Sequence, residues 1–383
     1  MRWSLPCRLV TPCRLAPPSL RTILPRRSHS VASSSPALAY KSYGPPDKVI
    51  RLDTIPLPPL VASTVQVRVV AAPVNPADIN QIQGTYPSKP NFVEPYGAVG
   101  GNEGLLQVVA VGPDVKGLKV GDFALPLSKA FAGTWRSQAQ CQPDDLMRID
   151  IDGVSPIIAA TISVNPCTAY RMLKDFVDLS PGDVVIQNGA NSGVGQAVIQ
   201  IAKFRGLRTV NVIRNRPNLD EVANELKSMG ADLVVSEEDV RKPDVAARIQ
   251  ALGAPPRLAL NCVGGKSALN LSRMLGDNAT LVTYGGMSRE PLTFPTSPFI
   301  FKNLTCAGFW MTRWYKDNSL DARGTMLREL FQLAREGRLR EPKHIVVRWG
   351  GDRDKAELER VGAEAVQGGL EGFGVGKRVL VME

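Results

Sequence analysis

Asp183-Val184-Val185-Ile186-Gln187-Asn188-Gly189-Ala190-Asn191-Ser192-Gly193-Val194-Gly195-Gln196 is the stretch on which the reading of this chain turns. Val184 to Ile186 is a short apolar run, as in a buried strand, and it ends in a turn of small residues. A helical stripe follows at once, with Val194, Val198 and Ile201 on one line and Ala197 and Ala202 beside it. A strand, a glycine-rich turn and a helix N-terminus together make an anion site. The helix's free N–H groups and its dipole face the turn, and the missing side chains let a pyrophosphate reach the backbone. The G-x-G-x-x-G fingerprint is met only in part: Ala190 and Ser192 stand at its first two glycine positions, Gly195 fits, and Gly189 and Gly193 are displaced.

Context strengthens the reading. A second strand, Thr209-Val210-Asn211-Val212-Ile213, ends in Arg214-Asn215-Arg216. A pocket for NAD carries an acid there, on the ribose 2′-hydroxyl. Two arginines instead suit the 2′-phosphate, because guanidinium pairs with phosphate through two hydrogen bonds, and the cofactor expected is NADPH. A solvated basic turn is the plainer alternative.

Over residues 167–310 strand and helix patterns alternate, with strands at 184–187, 209–213, 233–236, 258–262, 280–284 and 304–308. The fold class is α/β, a Rossmann-type doubly wound parallel sheet in the order 3-2-1-4-5-6. Asn261-Cys262-Val263-Gly264-Gly265 and Tyr284-Gly285-Gly286-Met287 fall where the fourth and fifth strands end. Ligands bind outside the carboxyl ends of such strands, so both stretches are candidates to line the cofactor, with ordinary turn glycines as the alternative.

Residues 38–160 read as β-rich: Ala37 to Tyr40, Val65 to Val70, Leu105 to Val111 and Gly121 to Leu125 are strand-like runs divided by Gly and Pro. Among them Asn75-Pro76-Ala77-Asp78-Ile79-Asn80-Gln81-Ile82-Gln83-Gly84-Thr85-Tyr86 is a helical turn followed by a loop with an isolated tyrosine. On these residues alone Tyr86 is more readily a packed loop tyrosine than a chemical group. Residues 311–383 hold a helix around Met326 to Glu336, a strand near Ile345, a helix near Ala356 to Val366 and a last strand, Arg378 to Met382. That tail is too short for a domain and is expected to return to the first one.

The 383 residues carry a formal charge of +10, but six of the positive charges are arginines within residues 1–37, a segment without acids, which leaves +4 for the remainder. The segment is rich in Arg, Ser, Pro and Leu and lacks the apolar core of a secretory signal. It reads as a mitochondrial transit peptide, with processing expected between about residues 28 and 37; a disordered basic tail is the alternative. No run approaches the length of a membrane span, so no membrane insertion is expected. Beyond the leader, Cys141, Cys167, Cys262 and Cys306 form no C-x-x-C pair and read as free thiols, with Cys262 and Cys306 in apolar strand patterns that suggest the core.

In this arrangement the chain resembles the medium-chain dehydrogenase/reductase superfamily over residues 38–383, with Gly189 to Gly195 similar to its phosphate loop. The resemblance implies a β-rich, GroES-like catalytic domain at 38–166, an inserted NADPH-binding domain at 167–310 and a return at 311–383. Ligand chemistry excludes the zinc branch. The only histidines are His29 and His344, and Gly101-Asn102-Glu103 stands where zinc alcohol dehydrogenases carry Gly-His-Glu. Within the zinc-free branch, the stretches Val99 to Gly104, Gly133 to Arg136, Val164 to Leu173, Gln187 to Ile201, Arg257 to Lys266 and Val282 to Met287 closely resemble the mitochondrial trans-2-enoyl-thioester reductases.

That family implies NADPH-dependent reduction of enoyl thioesters of acyl-carrier protein or CoA in mitochondrial fatty-acid synthesis, in the matrix, by a homodimer. Matched residue by residue, its proton donor falls on Tyr86. Its NADPH contacts fall on Asn165, Asn191, Ser192, Gly193, Val194, Arg214, Asn215, Arg216, Tyr284, Gly285, Gly286, Met287, Phe309, Trp310, Met311, Thr312 and Lys377, and no metal is implied. The loop Pro87 to Glu94 departs from the pattern by its length, which points to a different substrate mouth. Two other readings stay open: a quinone or alkenal reductase on the same scaffold, and a non-catalytic NADPH-binding regulatory or nucleic-acid-binding protein. The charge of +4 and the lack of a basic-aromatic cluster weigh against nucleic acid.

Overall fold

The computed structural model describes residues 32–127, 131, 133–369 and 376–383. Eight strands precede the nucleotide-binding motif: β1 (Ser34–Tyr40), β2 (Arg51–Pro56), β3 (Val65–Pro73), β4 (Ala98–Val99), β5 (Leu105–Val111), β6 (Phe123–Pro126), β7 (Gln138–Cys141) and β8 (Leu146–Ile149). The six that follow are β9 (Val184–Asn188), β10 (Arg208–Ile213), β11 (Leu233–Ser236), β12 (Leu258–Asn261), β13 (Thr280–Thr283) and β14 (Thr305–Gly308); β15 (His344–Trp349) and β16 (Lys377–Met382) close the chain.

The middle six form one parallel sheet in the order β11-β10-β9-β12-β13-β14, the doubly wound order expected. Such strands are buried on both faces and must be apolar on both. Val184, Ile186, Val210, Val212, Ala259 and Leu281 fill one side, while Val185, Leu258, Leu260 and Val282 meet Val198 and Ile201 of the helix Gly193–Phe204 on the other. The returning tail joins the first half of the chain, because β16 pairs antiparallel with β3 in a sheet ordered β15-β16-β3-β5-β6-β8.

Two details differ from expectation. Cys306, read as core, is exposed: β14 is the last strand of its sheet, so the pattern that buries a central strand leaves both of its faces accessible. At the other end, residues 1–31 of the leader lie outside the described residues. From Ser34 onward, ahead of residue 37, the chain is already strand, paired to β2 from Ser34↔Pro56 to Ala39↔Arg51. The run Ser33-Ser34-Ser35-Pro36 has loop composition, and its strand is imposed by long-range partners such as Ser137, whose hydroxyl lies 3.2 Å from that of Ser35. No helix among the described residues is long and apolar enough to cross a membrane.

Candidate active site

The turn after β9 is tightened by its small residues. Gly189 has φ +58°, which side chains resist, and a Cβ there would meet Cys262 Sγ at 2.5 Å. Ser192 caps the helix Gly193–Phe204, its hydroxyl accepting from Gly195 N at 3.1 Å. A Cβ on Gly195 would stand 2.4 Å from Ala190 O, which explains why the third glycine position keeps its glycine while the first two do not. Beneath the turn a buried polar layer ties the strand ends together. Gln187 Nε2 donates to Gly195 O and Asn211 Oδ1, and Asn188 Nδ2 donates to Asn261 Oδ1 at 2.8 Å.

The sequence-derived cofactor residues fall into three groups around this turn. Asn165 and Lys377 stand on one wall: a Cβ on Gly193 would meet Asn165 Nδ2 at 2.6 Å and Lys377 Cε at 3.5 Å. On the other, Tyr284 Oη is buried against Cys262 and Ser192 without a well-formed hydrogen bond, and Gly285 and Gly286 follow it to exposed Met287. Farther out, Arg214, Asn215 and Arg216 follow β10. Asn215 donates to Glu238 at 3.0 Å, and partial burial together with nearby Arg214 lowers the Arg216 pKa. Asn191 belongs to the turn itself, and Val194 to the first turn of the helix Gly193–Phe204.

Tyr86 lies beyond the helix Pro76–Ile82 and is joined to the nucleotide-binding half through Trp310. Trp310 Nε1 donates to Tyr86 Oη at 2.8 Å, and the two rings meet edge to face at 6.0 Å. Burial raises the Tyr86 hydroxyl above its ordinary pKa, while Trp310 and the Thr312 hydroxyl pull it back. Phe309 packs edge to face on Phe176 at 6.0 Å, and buried Met311 starts the helix Met311–Asp317 that carries Thr312.

A cluster that sequence reasoning did not assemble lies between these groups. Asp78 accepts from Asn75 N at 2.8 Å and from Asn102 N and Nδ2 at 3.0 and 2.6 Å. Glu103 accepts from Asn75 Nδ2 at 2.9 Å and from Val164 N at 2.7 Å, and Lys377 Nζ donates to Asn75 Oδ1. Burial pushes Asp78 up to about 6 and Glu103 up to about 7, and it lowers Lys377 against the pull of both carboxylates. Part of this was visible: Asn-Pro-x-Asp is a helix start with proline at its first position and an acid at the third. What it could not show is that the Asn75 side chain turns away to Glu103 and Lys377, residues far along the chain. Asn102, at the position of a zinc ligand in zinc alcohol dehydrogenases, is instead engaged with Asp78 and Gln81.

A small-residue cradle, the arginines Arg214 and Arg216 and an unmatched tyrosine hydroxyl fit a phosphorylated dinucleotide. With a GroES-like half closing over a doubly wound sheet, they define a medium-chain dehydrogenase/reductase. Two family models agree, alcohol dehydrogenase GroES-like domain over residues 62–148 and zinc-binding dehydrogenase over residues 193–327. Within that class the chain belongs to the mitochondrial enoyl-[acyl-carrier-protein] reductases. It is 48% identical to the one from Homo sapiens over 322 residues, covering 83% of this chain and 84% of that one. The structure of Etr1p with NADP and crotonyl-CoA matches with a TM-score of 0.84 at 38% identity, covering 91% of this chain and 99% of that one. The mitochondrial 2-enoyl thioester reductase heterodimer Etr1p/Etr2p from Candida tropicalis matches with the same TM-score, identity and coverage.

Proposed function

We propose that this protein reduces trans-2-enoyl thioesters of acyl-carrier protein or CoA to saturated acyl thioesters with NADPH, for fatty-acid synthesis in the mitochondrial matrix. The observation that carries the reading is the Tyr86 hydroxyl, held by Trp310 where the two halves of the site meet. The relatives' names and the crotonyl-CoA in the Etr1p complex support the substrate class.

Asn165, residues 191–194 at the turn and helix start, Tyr284 to Met287, Phe309 to Thr312 and Lys377 are the residues to hold the dinucleotide, with Arg214, Asn215 and Arg216 around its 2′-phosphate. When bound, NADPH supplies a hydride for the β-carbon of the enoyl thioester. Tyr86 Oη keeps its proton at neutral pH, because burial raises it beyond the already high ordinary range of a phenol, and it gives that proton to the α-carbon. Trp310 Nε1 occupies an Oη lone pair, which leaves the hydroxyl hydrogen free to point elsewhere. The charge left on Oη is received by the same indole N–H and by the Thr312 hydroxyl, and bulk water then restores the proton. Steady-state NADPH oxidation by the purified chain should be faster with trans-2-enoyl thioesters than with quinones. Turnover of quinones alone would replace the reading with a quinone reductase, and no turnover would leave a binding protein.

A homodimer through the β14 edge is part of this proposal. The strand is exposed, and the helix Ser297–Phe301 just ahead of it carries Phe299, Ile300 and Phe301 as exposed apolar side chains, Phe301 at 80%. An open edge with apolar neighbours is a template for pairing with a second copy. The reading includes a transit-peptide cut upstream of Ser34, supported by the cost of stripping β1 residues from a paired strand.

A further inference from the structure

The reaction described above does not use Glu103, although it is a carboxylate at 1% exposure in the middle of the site. Its two oxygens look in different directions: Oε1 to the backbone N–H of Val164, Oε2 to Asn75 Nδ2. Val164 precedes Asn165, one of the two residues packed against Gly193; Lys377 is the other, and its ammonium donates to Asn75 Oδ1. An amide placed between a carboxylate and an ammonium has one satisfied orientation, NH₂ to the anion and oxygen to the cation. Glu103 therefore dictates which way the Asn75 amide faces, and the amide dictates where Lys377 sits. The other charged or titratable groups that sense Glu103 are Asp78, Cys167 and Tyr315.

We propose that Glu103 is a positioning residue for NADPH binding: one oxygen pins the Val164–Asn165 turn, and the other, through the Asn75 amide, sets the Lys377 ammonium at the phosphate loop. This rests on NADPH being the ligand of that loop and not on the identity of the substrate. The carboxylate cannot be exchanged for its amide. In Glu103→Gln one acceptor becomes a donor, which faces either the Val164 N–H or the Asn75 NH₂. Asn75 can relieve the second clash only by rotating its own NH₂ against the Lys377 ammonium. In Asn75→Asp two carboxylates oppose each other. Combining the two substitutions restores every donor–acceptor pair at unchanged net charge: the new amide accepts from Val164 N and donates to the new carboxylate, which accepts from Lys377.

The test is NADPH affinity of the full chain by fluorescence titration at pH 8, with the melting temperature of the cofactor-free protein, for wild type, both single variants and the double variant. Each single variant should bind NADPH about tenfold more weakly or worse, the loss of one charge-assisted hydrogen bond. The double variant should return to within about threefold of wild type. Wild-type affinity in Glu103→Gln, or a double variant no better than its worse parent, overturns the proposal. If a single variant does not fold, recovery of both folding and affinity in the double variant supports it and failure to recover overturns it. None of these readouts needs turnover, so a wild type inert toward enoyl thioesters sinks the functional reading while this cycle still decides the role of Glu103.

Discussion

The phosphate-loop side of the site and the Tyr86 side are built in opposite ways. From Val184 to Phe204, strand, turn and helix are continuous in the chain, and each residue's role follows from its neighbours: Ser192 caps, Gly195 clears Ala190, Val198 and Ile201 face the sheet. On the Tyr86 side, the pairs that join its parts are far apart in sequence. Trp310 holds Tyr86, Lys377 holds Asn75, and Glu103 holds Val164. The local side forms the phosphate turn, and the assembled side adds Asn165 and Lys377 as a wall against it. The assembled side also holds Tyr86, the proposed proton donor, against Trp310, and it exists only when the whole fold does.

The difference is sharpest for Tyr86→Phe, which removes one hydroxyl from the assembled side and nothing from the local one. Turnover of an enoyl thioester should fall by a factor of about 10²–10⁴, the usual span of general acid catalysis, with NADPH affinity nearly unchanged. A parallel loss of affinity would show that the two sides are not separable. On the local side, Arg214→Ala with Arg216→Ala should raise the Michaelis constant for NADPH by about 10–100-fold, as expected for losing charge-assisted hydrogen bonds of about 1.5–3 kcal/mol. The constant for NADH should hardly move, and equal losses for both cofactors would remove the arginines from the 2′-phosphate.

A smaller effect concerns the buried carboxylates. Glu103 is raised by burial from 4.5 to about 7, and Asp78 from 3.8 to about 6. A carboxyl with a raised pKa holds its proton more tightly in the folded state than in the unfolded one. The stability it lends is therefore present at low pH and lost as pH rises through that window. Between about pH 5 and about pH 7.5 the melting temperature of wild type should fall relative to that of Glu103→Gln, which lacks this titration. Asp78 titrates in both proteins. A difference that stays constant with pH would show that Glu103 is charged throughout.

The two sides were unequally legible in the sequence for the same reason. All six strands of the parallel sheet were readable because burial on both faces writes an apolar run, and Arg214 and Arg216 could be proposed for the 2′-phosphate because they follow one such run directly. Tyr86 carries no local mark of its role, and only the family resemblance singled it out. Asn75, Asp78 and Glu103 read as a helix start and a misfit of the Gly-His-Glu pattern. Their meaning depends on Lys377, some three hundred residues along the chain. Cys306 failed in the opposite sense, since an apolar strand pattern does not tell an edge strand from a central one. Ser34 to Pro36 fell within the expected leader, and nothing in their composition marks the pairing with β2.

The most direct measurement of the central claim, that the hydroxyl of Tyr86 delivers the proton where the two sides meet, is the fate of solvent deuterium. An enoyl thioester reduced with NADPH in D₂O takes one deuteron at the α-carbon, and NMR of the product reports the face it entered. Wild type should give a single α-stereoisomer. Tyr86→Phe should be slower by about 10²–10⁴ and, protonated by water, should give a mixture. The same single stereoisomer at the wild-type rate from the Phe variant would contradict the claim and assign the proton to another group.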